Sequence, residues 1–456
     1  MKNENTASRR SFLKTVGATS LVTMTAQGSS IAMSQISKTK PKYDFDEIFN
    51  RVGVNSIKWD SIIERYGSDK IVVPMGIADM DFKQIPEVVE AVKKRAEFES
   101  YGYEKVSDNY YQSIIDWNKK RYNQEIKKDW IRDSSGLTTG IVPALRGLNP
   151  ANGKVILMTP TYSLFQTEIK KAGMRTEMSP MKKINGRWHM DLADLESRLD
   201  YMTKCLILCN PNNPTGECWT QQELKALGDV CIRNGVTIIA DEIWADIVRS
   251  DQKYTPYASI GEKYANSSIT YKSAGKTFNQ AILKVAYFFT QNKDLMNAVM
   301  EGGGHQTEVN IFGQIAAETA YNEGDQWIDE VNDYIDSNFD FLVDYVNEPG
   351  EMPGIEYSKP ESTYLAWLDC NGLKNKIATP KKVADFKKIL IAAGKSGDIT
   401  PEIVMSEWLI ENAGVQLNAG HVYGKGAEGY LRMNIAVPRV HLKLALDNLN
   451  KALKSV

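Results

Sequence analysis

The sequence has little cysteine, and Cys205, Cys209, Cys218, Cys231 and Cys370 include no CxxC pair. An odd, dispersed set in a long chain signals neither a disulfide framework nor a zinc site, so buried free thiols are expected. Histidine is scarcer still. His189, His305, His421 and His441 are scattered without an HExxH, so no metal is expected to carry chemistry. Neither sign of charge predominates: 55 Lys and Arg against 57 Asp and Glu leave a formal charge of −2, without the basic excess that nucleic acid or an anionic membrane attracts. A small-molecule partner fits better. No later segment has the unbroken apolar run of a membrane span, and 456 residues are enough for two domains with cores of their own.

The first segment reads as an address. Ser8 to Lys14 spell SRRSFLK, and no charged residue follows from Thr15 to Ser37. This resembles a twin-arginine export signal over 1–33, with cleavage near Ala26 or Ala32 and a mature form outside the cytoplasm, periplasmic or otherwise extracytoplasmic. That route carries proteins already folded, which also removes any need for disulfides.

Behind a polar link, PEVVEAVKKRAEF opens with Pro86 and spaces Val88, Val92 and Ala96 as a helix. Short apolar runs follow, KVILMTP, KCLILCNP, GVTIIADE and SSITYKS, separated by amphipathic segments such as QQELKALGDVCIRNG. Runs apolar on both faces, alternating with helices, predict an α/β domain with a mostly parallel sheet covered on both sides. Ile328, Val331, Ile335, Phe339, Leu342 and Val346 then keep a spacing of three and four, the mark of a long helix linking two domains. The C-terminal third mixes strand-like TYLAWLD and GYLRMNIAV with helices, an α+β pattern. The domains expected are an N-terminal arm with part of a small domain over 34–92, a large α/β domain over 93–330, and the linking helix with a small α+β domain over 331–456.

Ligands in open α/β sheets bind beyond the carboxyl ends of the strands, so the residues just after each apolar run carry the functional reading. Asp241 follows GVTIIA, Ser273 and Lys276 follow SSITY, Asn213 stands in NPNNPTG, and Tyr162 stands in TPTY. Each suits one part of a pyridine aldehyde phosphate. An aldehyde needs an amine, which Lys276 supplies; a ring nitrogen needs an acid to keep it protonated, which Asp241 supplies. Asn213 is placed to donate to the ring hydroxyl oxygen and Tyr162 to stack on the ring. Phosphate calls for backbone donors at a helix start, offered by TTGIVPAL through Gly140 and Ile141, with the Ser273 hydroxyl beside them. The string SAGKT is not a nucleotide-binding loop, because Thr270 stands where the first glycine belongs.

With these motifs in order, the chain resembles the fold type I pyridoxal-phosphate-dependent class I/II aminotransferases, in their cystathionine β-lyase or cysteine-S-conjugate β-lyase branch. NSIKWD, IADMDF, YGYEKVSDNYYQSIIDW, GIVPAL, TPTYSLF, NPNNPTGECWT, ADEIWADIV, ESTYLAWLD and GYLRMNIAVPR carry the likeness across Asp44 to Leu453. The resemblance implies pyridoxal 5'-phosphate as cofactor and a homodimer with shared sites, Tyr103 reaching the neighbouring subunit's cofactor phosphate. It also implies Arg432 as the clamp on the substrate carboxylate. The reaction implied is β-elimination from an amino acid, with Lys276 as both cofactor-holding residue and general acid/base.

Several positions depart from that branch. Trp244 stands where relatives carry His or Tyr, Lys284 where aminotransferases often have a phosphate-binding Arg, and Gly275 precedes Lys276 in a way expected to loosen the turn. Lys374 to Val404 forms a longer stretch than the branch usually has, and GGGH from Gly302 adds a loop. An aminotransferase would use the same Lys276, Asp241 and Arg432. A cofactor-bearing binding protein is a third reading, one that would tolerate loss of Lys276.

Overall fold

The computed structural model describes residues 41–149, 151–304, 309–392 and 398–456. The twin-arginine segment, His305 and residues 393–397 lie outside them. The central sheet has seven strands: β1 Ile131–Ser134, β2 Lys154–Thr159, β3 Arg175–Pro180, β4 Thr203–Cys209, β5 Thr237–Asp241, β6 Ser268–Lys272 and β7 Ala286–Phe289, in the order β1-β7-β6-β5-β4-β2-β3. Strands β3, β2, β4, β5 and β6 run parallel, and β7 runs antiparallel to both neighbours.

The apolar runs are buried on both faces, as their composition predicts. Leu206 and Leu208 of β4 face one layer with Leu224, Leu227 and Cys231 of helix Gln221–Arg233. Cys205, Ile207 and Cys209 face the opposite layer with Leu137, Ile141 and Ala144 of helix Leu137–Leu148. All five cysteines are buried and free, matching the expectation from their spacing. Parallel neighbours need crossover connections, and helix Gln221–Arg233 between β4 and β5 provides one, its start fixed by a capping box of Thr220 and Glu223.

The spacing from Ile328 onward is realised as helix Asp325–Asn347, which buries Ile328, Val331, Ile335, Phe339, Leu342 and Val346. Beyond it, strands Leu365–Asp369, Tyr430–Asn434 and Asn418–Ala419 form an antiparallel sheet. Helices Pro401–Ala413 and Arg439–Leu453 accompany it. The early strand Val73–Pro74 pairs in parallel with Val415–Gln416, tying the first part of the chain to the C-terminal layer. Helix Pro86–Ala96 forms with Pro86 at its start, yet only Val88 of the predicted stripe is buried; Val92 is half-buried and Ala96 exposed. Phe98, Tyr101 and Tyr103 just after it are exposed as well. No helix among the described residues is long and apolar enough to cross a membrane.

Helix Leu137–Leu148 lies so close to helix Lys293–Glu301 that a Cβ at Gly147 would stand 1.8 Å from the Ala298 carbonyl oxygen. Backbone cannot swing aside as a side chain can. Gly147→Ala is therefore expected to destabilise the protein by about 1–3 kcal/mol or more, read as a lower urea midpoint at unchanged slope.

Candidate active site

Parallel register brings the candidate groups to one end of the sheet. Cys209 at the end of β4 pairs with Asp241 at the end of β5, which pairs with Tyr271 of β6. The chain leaves β6 through Ser273 into the short helix Ala274–Thr277, which carries Lys276. From the C-terminal sheet, strand Tyr430–Asn434 brings Arg432 to the same place. Lys276, Asp241, Asn213, Tyr162, Trp244 and Arg432 all line one cavity of about 270 Å³.

Burial sets the electrostatics of this cavity. Asp241 is almost completely buried, and loss of water pushes its carboxyl up to about 7. Among the described residues its carboxylate oxygens accept from the Ile243 amide at 3.2 Å and, weakly, the Cys209 thiol at 3.8 Å. Burial, helped by the positive Arg432, lowers Lys276 to about 8. Its Nζ donates to the Ala78 carbonyl at 2.6 Å. Arg432 is buried, with Nη1 donating to Asn213 Oδ1 at 3.0 Å and Nη2 to the Gly76 carbonyl at 2.7 Å. Among the described residues its Nε has no hydrogen-bond partner, and the ring of Tyr423 lies 5.2 Å from the guanidinium. A buried guanidinium that meets only neutral acceptors retains its attraction for a carboxylate.

Tyr162 stands against Phe165 at 5.4 Å between ring centroids, and burial pushes its hydroxyl up to about 12. Gly140 and Ile141 lie past the start of helix Leu137–Leu148. Gly140 donates its own amide to the Gly136 carbonyl at 3.0 Å, and both residues are buried beyond the first turn of the helix. The amides left without an intrahelical acceptor are those of Leu137, Thr138 and Thr139. Ser273 uses its hydroxyl locally, donating to the Val285 carbonyl at 2.6 Å and accepting from the Gly275 amide at 2.8 Å. Gly275 therefore does not loosen the turn: its amide is tied down, and a Cβ there would stand 2.9 Å from Ser273 Oγ. Tyr103 is fully exposed and does not line this cavity. Lys284 is exposed too, at a positive φ of 53°.

The sequence reading missed Ala78, Asn418, Tyr423 and Tyr364. Ala78, Asn418 and Tyr423 line the cavity, while Tyr364 packs on Trp244 behind it. None of them follows an apolar run of the main sheet, the signal that pointed to Asp241, Asn213, Tyr162 and Lys276. Among the described residues no group of three His, Cys, Asp or Glu could hold a metal ion.

The Asp241 carboxyl gives the cofactor-free protein a pH signature. Its folded pKa of about 7 lies above the unfolded 3.8, so this group's contribution to stability is full below about pH 4 and is lost as pH rises through 7. Asp241→Asn removes that loss. Urea unfolding of the cofactor-free variant is expected to show a gain of roughly 2–4 kcal/mol over wild type near pH 8 and almost none near pH 4.

The aminotransferase class I and II family matches residues 70–449. Cystathionine beta-lyase PatB of Bacillus subtilis (strain 168) is 29% identical over 90% of this chain and 100% of its own length. A PLP-bound protein from Clostridium difficile 630, described as an aminotransferase, is 35% identical, with a TM-score of 0.80 over 90% of this chain and 100% of that one. The PLP-bound C-S lyase of Staphylococcus hominis is 30% identical, with a TM-score of 0.77 over 90% and 98%. The seven-stranded sheet, the groups gathered at its end and these likenesses along nearly the whole chain agree: the chain belongs to the aminotransferase class I and II family.

Proposed function

We propose that the protein is a pyridoxal 5'-phosphate-dependent carbon–sulfur β-lyase, cleaving cystathionine or S-substituted cysteines to pyruvate, ammonia and a thiol. The observation that carries this reading is the meeting of Lys276, Asp241 and Arg432 in one cavity. The residues fit the cofactor. Lys276, with its proton affinity lowered, is the amine that would hold it; Asp241 is the carboxyl that would face its ring nitrogen. Asn213 and Tyr162 line the same cavity, and the amides of Leu137 to Thr139 are without intrahelical partners for a phosphate. When bound, the cofactor supplies an electron-accepting pyridinium that stabilises negative charge at the substrate α-carbon.

The chain's own groups divide the remaining work. Arg432 binds the substrate carboxylate, exchanging neutral acceptors for a charged one. Lys276, neutral on the alkaline side of about pH 8, takes the α-proton at Nζ and holds it for return. Cleavage of the bond from the β-carbon to sulfur sends its electron pair away with the thiolate. Trp244 and Tyr364, both buried, stand beside the lysine, with the Trp244 ring centroid 5.5 Å from Nζ.

Curated relatives named cystathionine beta-lyase, and the solved C-S lyase, support elimination over transfer. The same reading includes a homodimer, for which the exposed Phe98, Tyr101 and Tyr103 offer an apolar surface and Tyr103 a group for the neighbouring phosphate. Export by the twin-arginine route rests on SRRSFLK at Ser8 to Lys14.

Purified holoprotein given cystathionine or S-ethylcysteine is expected to release pyruvate with no keto acid present. Turnover only after a keto acid is added would establish an aminotransferase instead. Lys276→Ala should lower pyruvate release by about 10³-fold or more with an unchanged circular dichroism spectrum. Replacing Arg9 and Arg10 together by Lys is expected to strand the enzyme in the cytoplasm, measured by cell fractionation and immunoblotting.

A further inference from the structure

Five consecutive carbonyls of the strap Gly76–Met80 are each taken by a side chain. Arg432 donates to Gly76, Asn434 to both Ile77 and Asp79, Lys58 also to Asp79, and Arg51 and Asn279 to Met80. The middle carbonyl, Ala78, accepts twice: from Lys276 Nζ at 2.6 Å and from the Tyr364 hydroxyl at 3.1 Å. The Tyr364 ring meets Trp244 edge to face, with centroids 4.7 Å apart at 70°. The Trp244 ring centroid in turn lies 5.5 Å from Lys276 Nζ. Carbonyl, phenol, indole and ammonium thus form a closed circuit. Tyr364 and Trp244 are among the most completely buried side chains of the protein. Nothing in the elimination itself calls for a phenol at that point.

A lysine that both holds a cofactor and shuttles a proton must move and return. Its flexible stem makes a free return costly in entropy unless the displaced nitrogen has somewhere to stop. A carbonyl at 2.6 Å and an aromatic face both favour the ammonium over the neutral amine, so such a stopping place holds the lysine while it carries the proton. We propose that Tyr364 is a positioning residue for Lys276: with the face of Trp244, it fixes the Ala78 carbonyl as the docking place of the lysine ammonium whenever that nitrogen is not covalently engaged. The inference rests on the role given to Lys276 above. Tyr364 acts through the carbonyl and does not touch the reacting atoms. Burial holds its hydroxyl well above the ordinary phenol range, so it stays a donor at neutral pH.

The test is Tyr364→Phe in the holoenzyme, which keeps the ring against Trp244 and removes only the hydroxyl. Borohydride should still trap a cofactor adduct at Lys276 with wild-type yellow absorbance. The kcat for pyruvate release should fall about tenfold with KM within about twofold. Docking stabilises the ammonium, so its loss lowers the lysine's pKa, and the limb of the kcat profile that requires protonated lysine should move to lower pH by about half a unit to one unit. Trp244→Phe, which keeps a smaller aromatic face, should shift the same limb in the same direction by less. Unchanged kcat and pH profile in Tyr364→Phe would overturn the proposal, as would a fall in kcat matched by lower thermal stability with no shift of the limb. Should Tyr364→Phe fail to fold, the Trp244→Phe limb decides alone. A wild-type holoprotein with no trappable adduct at Lys276 would sink the functional reading, and this inference with it.

Discussion

Removal of water from a handful of charged groups is the constraint on which this protein rests. Asp241 and Arg432, both buried, and the half-buried Lys276 line one cavity in which contact with bulk solvent is reduced. Desolvation alone would neutralise an acid and a base. Here two of the charges partly offset that penalty for each other, Lys276 drawing Asp241 back toward its ionised form and Asp241 doing the same for Lys276, whereas the positive Arg432 adds to the penalty on Lys276. The outcome is an acid and an amine whose affinities for the proton lie near neutrality, the range in which a catalyst at physiological pH can exchange one.

A cavity of that kind needs walls that do not give way. Behind the short helix of Lys276, Asp246 accepts from Thr277 at 2.7 Å and from Trp117 at 3.1 Å, and it also receives the Tyr122 hydroxyl. Lys272, buried and lowered to about 8, donates to Asn118 at 2.9 Å and lies 3.9 Å from the Tyr122 ring centroid. Glu242, next to Asp241, is satisfied by Tyr254, Tyr257 and Asn210. Such a network in low dielectric is stable only when its members are paired, and pairing fixes the residues beside them. The polar layer beneath the site therefore determines where Asp241 and Lys276 stand.

The opposite wall comes from elsewhere in the chain. The strap Gly76–Met80 precedes the main sheet, whereas Arg432, Asn434 and Tyr364 arrive from the C-terminal layer. Their hydrogen bonds to successive carbonyls join the lysine of one layer to the arginine of the other through a single short, bent segment. A group placed on Arg432 is thus mechanically close to Lys276, although 156 residues separate them in sequence (432 − 276).

Much of this was legible in the residues. Apolar runs broken by amphipathic helices specified a covered parallel sheet, and polar residues just past those runs identified Asp241, Asn213, Tyr162 and Lys276, because strand ends are where such sheets bind. Elsewhere, local pattern lacked the needed information. Gly140 and Ile141 stand in a helix-start motif, yet which amide is free depends on where the first turn closes, and that is set at Gly136. Ser273 is committed to its own turn, and Trp244 finds an aromatic partner in Tyr364, through contacts no spacing rule encodes. By itself the sequence determined the element types, the family and the groups able to do the chemistry, since periodicity and motif order are properties of neighbours along the chain. Only the tertiary structure decided which carbonyl receives the lysine, which partners hold the arginine and how far burial moves each proton, because those depend on distances and on exclusion of water between residues far apart in sequence.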